Sequence, residues 1–200
     1  VLLANGAWRD RPLQLPGIEP LLGKGFAYQN PFVYSFNHYE DAGYAGPEFK
    51  VEPGTIVVGG GLASVDVGKI INLELYRAAL AERGIVVPLM ELEHLGIPKT
   101  LAAHGLNAET LGIEGASIYY RRRVQDMPIA FPKDESPEQL EKTSRVREKM
   151  VQILAQKYLL RVKDCHIPVA SLSDGERLTG LRFRKSHMED GRLKEIAGSD

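Results

Sequence analysis

Hydrophobic positions along the chain change period several times, and each change marks an element. Residues 1–8 (VLLANGAW) form an apolar run that predicts a short strand ending at Asn5-Gly6, with proline and glycine punctuation as far as Pro20. Residues 21–54 have no sustained period, which predicts an ordered excursion with little regular structure. Seven aromatics between Phe26 and Tyr44 argue against disorder there. The β-branched run 55–58 ends at Gly59-Gly60-Gly61 and gives way to a helical pattern over 62–83. In that pattern Leu62, Val65, Lys69, Leu73 and Tyr76 fall near one face, and Gly84 is a natural C′ residue.

The second half reads as shorter elements. Residues 85–92 suggest a strand, 98–104 and 108–111 short helices, and 116–120 a clear strand that runs into Arg121-Arg122-Arg123. Ser136-Pro137-Glu138-Gln139 is a helix start with a Ser N-cap, Pro at N1 and Gln at N3, and predicts a helix to about Tyr158. Residues 159–163, 168–172 and 178–185 read as strands. The turn signals Asp174-Gly175 and Asp190-Gly191 make the end a small antiparallel meander.

Composition narrows the function classes. In 200 residues, 44% are hydrophobic and 26% charged, with 25 basic residues against 26 acidic, which describes a globular chain able to bury a core. A net charge of −1 gives no global reason to bind nucleic acid or a membrane. A single cysteine, Cys165, excludes an internal disulfide, a CxxC redox pair and a cysteine-based zinc site, and fits a reducing, cytoplasmic setting. Cys165-His166 has no acid spaced to orient the histidine, so the thiol reads as a small hydrophobe rather than a nucleophile. Asn37-His38-Tyr39 reads as loop packing, with a place near a nicotinamide as the sharper alternative. His94 and His104 lack the companions of a metal site.

Candidate chemistry concentrates in residues 55–69, TIVVGGGLASVDVGK. A strand running into Gly59-x-Gly61-x-x-Ser64 and then a helix is the context of a dinucleotide fingerprint. Gly59 allows a sharp turn out of the strand, Gly61 leaves the backbone open to a pyrophosphate, and free N–H groups of the helix's first turn with the helix dipole hold the anion. Ser64 is small enough for the helix to pack on the strand. A glycine-rich turn without a ligand is the plainer alternative. The residue ending the second strand decides the nucleotide. Glu91 or Glu93 after a strand 85–92 would accept from the ribose of NAD, whereas Arg121 and Arg122 after a strand 116–120 would pair the 2′-phosphate of NADP. The residues alone leave both open.

Three stretches share a resemblance. GGGLASVD (residues 59–66) resembles the GGGxxxxD/E signature of the NAD(P)H domain in two-dinucleotide-domain flavoproteins, with Asp66 at the acidic position. IYYRRRVQDMP (118–128) resembles the VYRRxxxxMP element of the glutamate synthase small-chain group of pyridine nucleotide–disulfide oxidoreductases. LLANGAW followed by LPGIE resembles that group's ATGAW…PGIE crossover, with Asn5 in place of Thr. The resemblance implies a Rossmann-like α/β domain, a mainly parallel sheet flanked by helices plus an antiparallel meander. It also implies one NAD(P)H-binding domain over 1–200, with excursions at 21–54 and 84–115, cut from a longer flavoprotein. The missing initiator methionine and the polar end fit that expectation.

By the same resemblance, Gly59, Gly60, Gly61, Leu62, Ala63 and Ser64 hold the pyrophosphate, and Asp66 supports the first helical turn. Arg121 and Arg122 clamp the 2′-phosphate, and Arg123 is auxiliary. The strand question is resolved toward 116–122 and NADPH. No general acid, base or nucleophile is expected within the chain. FAD, the FAD domain of the same polypeptide and a possible electron-accepting subunit are the implied partners, and the stretch alone is expected to be inactive.

Overall fold

The computed structural model describes residues 9–199, so the strand expected over 1–8 and the first part of the crossover lie outside the described residues. The chain divides into two units, Val1–Lys50 with Pro168–Phe183, and Val51–Ile167 with Arg184–Asp200.

In the first unit, α1 (Gln29–His38) stands where little regular structure is expected. Its cap is not local. The Asp10 carboxylate accepts the Asn30 N–H at 3.2 Å from 20 residues away, placing negative charge at the helix start. No window of adjacent residues carries that signal. The Asp174 carboxylate accepts the N–H groups of Glu176 and Arg177 at 2.9 and 2.8 Å, which fixes the expected Asp174-Gly175 turn.

The second unit holds a parallel sheet of β1 (Ile56–Val58), β2 (Ser117–Tyr119) and β3 (Arg161–Lys163), in the order β1-β2-β3. Ile56 pairs with Ser117 and Val58 with Tyr119, and Ser117 in turn pairs with Arg161. Helix α2 (Leu62–Ala81) follows β1 and buries Val65, Ile70, Ile71, Leu73, Tyr76 and Leu80. It ends in a Schellman motif. Gly84 takes φ +73°, its N–H bonds to the Ala81 carbonyl at 2.9 Å, and the Ile85 N–H bonds to the Leu80 carbonyl at 3.0 Å.

That capping bond uses the Ile85 N–H to close a helix, and no strand forms over 85–92. Pro88 instead starts α3 (Leu89–Leu95), where Leu89, Leu92 and Leu95 repeat at helical spacing and Leu92 is fully buried. Short helices α4 (Ile97–Ala103) and α5 (Ala108–Leu111) follow as expected. Helix α6 (Pro137–Tyr158) starts at Ser136, whose Oγ accepts the Gln139 N–H at 3.4 Å. Beyond β3, β4 (His166–Ser173), β5 (Leu178–Glu189) and β6 (Arg192–Glu195) form a separate three-stranded sheet in that order. Strands β5 and β6 are antiparallel through Asp190-Gly191, both at positive φ, as a type I′ hairpin requires.

Two small residues hold the parallel sheet against its helices. A Cβ at Gly68 would lie 2.8 Å from a Leu160 methyl group, so glycine there lets α2 pack closely on Leu160 and Ile118. The buried Asn72 side chain donates to the Tyr158 carbonyl at 2.9 Å and accepts the Ala116 N–H at 2.7 Å, joining α2, the end of α6 and the start of β2.

Candidate nucleotide-binding site

Parallel pairing brings the two candidate motifs together. Because β1 and β2 run side by side in the same direction, the glycine loop after Val58 and the arginines after Tyr119 emerge at the same sheet end. Neighbouring strands lie about 4.8 Å apart. The Gly59 N–H extends the ladder to the Tyr119 carbonyl at 3.1 Å.

The three glycines have different causes. Gly59 takes φ +153°, and a Cβ there would sit 2.2 Å from Ser64 Oγ. Gly60 is buried under an aromatic ring, since a Cβ there would lie 2.2 Å from Tyr120 Cδ2. Gly61 has φ −86°, ordinary for any residue, and a Cβ would meet nothing within 4 Å. The protein itself therefore gives no reason for glycine at position 61, and the bare backbone there faces open space at the start of α2. Gly61 is also the N-cap, and it offers no side chain to the first turn. Its carbonyl accepts from Ser64 and Val65, while the N–H groups of Leu62 and Ala63 have no acceptor among the described residues. Leu62 and Ala63 are exposed, so the donors open on solvent.

Asp66 stands beyond the first turn, exposed, 3.6 Å from the Lys69 ammonium. Lys69 also donates to Glu93 at 2.9 Å, so this glutamate belongs to a bridge between α2 and α3 rather than to a strand end. Burial works to lower the Lys69 pKa, and the bond and charge of Glu93 outweigh it.

The arginines divide their work. Arg123 grips Asp126 with a two-pronged bond, Nε to Oδ2 at 2.9 Å and Nη2 to Oδ1 at 3.0 Å. That bond holds the Asp126 carboxyl below its ordinary range. Arg121 is exposed, and neither it nor Arg122 has a side-chain hydrogen bond or ion pair among the described residues. Arg122 Nε is shielded from solvent with no partner. The backbone beneath them is firmly tied. The His166 N–H bonds to the Tyr120 carbonyl at 2.9 Å, Ser186 Oγ to that of Arg121 at 2.7 Å, and the Cys165 N–H to that of Arg122 at 3.0 Å. Arg147 of α6 closes the loop from behind, donating to the Ala130 and Gln125 carbonyls, and Met127 is fully buried.

Cys165 lies half-buried at positive φ, and burial pushes its thiol pKa up, as expected of a group not poised for attack. His38 closes α1 beside Asp41, 2.7 Å away. Among the described residues no three His, Cys, Asp or Glu side chains gather as metal ligands, and no helix is long and apolar enough to cross a membrane.

No family model matches the chain, and neither does any curated protein. Solved structures do. A point mutant of FprA from Mycobacterium tuberculosis matches with a TM-score of 0.55 at 16% identity, over 98% of this chain and 46% of that one. FprA in complex with NADPH matches with a TM-score of 0.55 at 16% identity, over 97% and 45%. An atomic-resolution structure of the same oxidoreductase, described for a covalent modification of NADP+, gives 0.54 at 18% identity, over 97% and 45%.

The fold is Rossmann-like, of the FAD/NAD(P)-binding kind.

This chain spans less than half the length of those structures. Sequence reasoning missed Gly68, Asn72, Asp126 and Arg147 as parts of the supporting frame. Only Gly68 carried a signal, a glycine inside a helix pattern, which asks for a close-packing reason.

Proposed function

We propose that this chain is the NADPH-binding domain of an FAD-dependent oxidoreductase resembling the glutamate synthase small chain. The observation that carries the reading is the bare Gly61 backbone and unpaired Leu62 and Ala63 N–H groups, set by the β1–β2 pairing beside Arg121 and Arg122. Helix-start donors suit a pyrophosphate, and guanidinium groups suit a phosphate dianion at a strand end. The solved FprA–NADPH complex supports the same nucleotide. When both cofactors are bound, the chemistry they supply is hydride transfer from nicotinamide to flavin and onward to an acceptor.

This chain's part is binding and orientation. The Leu62 and Ala63 amides and the α2 dipole hold the pyrophosphate, with Gly60 and Ser64 completing the loop. Arg121 and Arg122 hold the 2′-phosphate. A charge-assisted bond of this kind contributes about 1.5–3 kcal/mol, or roughly 10- to 100-fold in affinity. Asp126 competes for Arg123, so the third arginine serves the loop rather than the nucleotide. Asp66 supports the start of α2 beside Lys69. The FAD domain and any accepting subunit belong to the longer protein.

Calorimetric titration with NADPH and NADH tests the reading. NADPH is expected to bind at least about tenfold more tightly, and Arg121→Ala with Arg122→Ala to erase the difference. Equal affinities in the unaltered chain, insensitive to both substitutions, would leave a nucleotide-sensing module or an NAD site in its place. Bleaching of oxidised-flavin absorbance by NADPH in the natural full-length protein tests the flavin half.

A further inference from the structure

Tyr120 touches both halves of the site without being a core residue. Its half-buried ring fills the space a Gly60 side chain would need, against the pyrophosphate loop. Its hydroxyl donates to the Asp126 carbonyl at 3.0 Å, in the turn whose carboxylate grips Arg123. Its backbone is clamped on both sides, the N–H to Lys163 at 2.9 Å and the carbonyl to His166 at 2.9 Å. Arg121 and Arg122 follow it directly. One side chain thus ties the glycine loop to the arginine loop. Burial raises its phenol pKa further from neutrality.

Resting on the NADPH reading, we propose that Tyr120 is a positioning residue that sets the spacing between the pyrophosphate and 2′-phosphate subsites, and so the preference for NADP(H). A ligand that spans both subsites depends on their spacing. A ligand that uses the glycine loop alone depends on it little. Losing one charge-assisted phosphate bond through misalignment costs roughly 10- to 100-fold in affinity.

The experiment is calorimetric titration of the chain and its Tyr120→Leu and Tyr120→Phe variants with NADP+ and NAD+. Tyr120→Leu is expected to weaken NADP+ about tenfold and NAD+ less than about threefold. Tyr120→Phe, which keeps the ring but loses the bond to Asp126, is expected to show a smaller loss of the same selective kind. If Tyr120→Leu does not fold, Tyr120→Met fills the volume with a flexible chain and is expected to show the same selective loss. Equal losses for both nucleotides, or no loss, would overturn the proposal alone. An unaltered chain with no preference for NADP+ would remove the NADPH reading and this proposal together.

Discussion

The ring of Tyr120 occupies the space that a side chain on Gly60 would need, with 2.2 Å between a Cβ there and Tyr120 Cδ2. Glycine at position 60 is therefore set by the residue that follows β2. Gly60→Ala is expected to destabilise the chain by about 1–3 kcal/mol through overpacking, with most of that cost vanishing in a Tyr120→Ala background. Urea melts of the two single variants and the double variant measure the coupling. An additive double variant would contradict the contact.

Gly59 and Gly61 should behave in opposite ways. Gly59→Ala meets both a positive φ and Ser64, and is expected to lower stability by about 1–3 kcal/mol. Gly61→Ala meets no protein atom, so stability should change by less than about 1 kcal/mol while nucleotide affinity falls at least about tenfold. Thermal melts paired with NADPH titrations separate the two effects.

Asp126 gives the loop an acid-sensitive tie. Its folded-state pKa is depressed by the bond to Arg123, so its stabilisation is present above the ordinary carboxylate pKa of about 3.9 and lost as pH falls through the folded value. The pair is partly exposed, so about 0.5–1 kcal/mol is the expected size after solvent screening. Asp126→Asn should remove that much stability at pH 7 and almost none at the acid end. Denaturant midpoints measured across the acid range check the sign.

Asn72 is buried with both ends of its amide engaged. Asn72→Ala leaves the Ala116 N–H and the Tyr158 carbonyl without partners and is expected to cost about 2–4 kcal/mol. Hydrogen exchange at Ala116 reports the same loss locally, and unchanged protection there would contradict it.

Local chemistry was readable from the sequence, and distant partners were not. Gly84, Ser136-Pro137 and Asp190-Gly191 carry their own caps and turns, and all three act as expected. The run 85–87 is β-branched, yet no strand forms there, because the Ile85 N–H closes α2 and Pro88 begins a helix. Helix α1 was invisible because Asp10 caps it from 20 residues away. At the site, strand, glycines and arginines were legible as motifs. The division among Arg121, Arg122 and Arg123 was not, since it depends on Asp126 being folded back onto one of them.

In the proposed function one nucleotide touches the glycine loop and the arginine loop together. Amide chemical-shift mapping of the isotope-labelled chain during an NADP+ titration tests it most directly. The expected result is saturable shifts at Gly60, Gly61, Leu62, Ala63, Ser64, Arg121 and Arg122, with NAD+ moving the glycine loop alone. Shifts confined to other segments, or none at saturating nucleotide, would contradict the account.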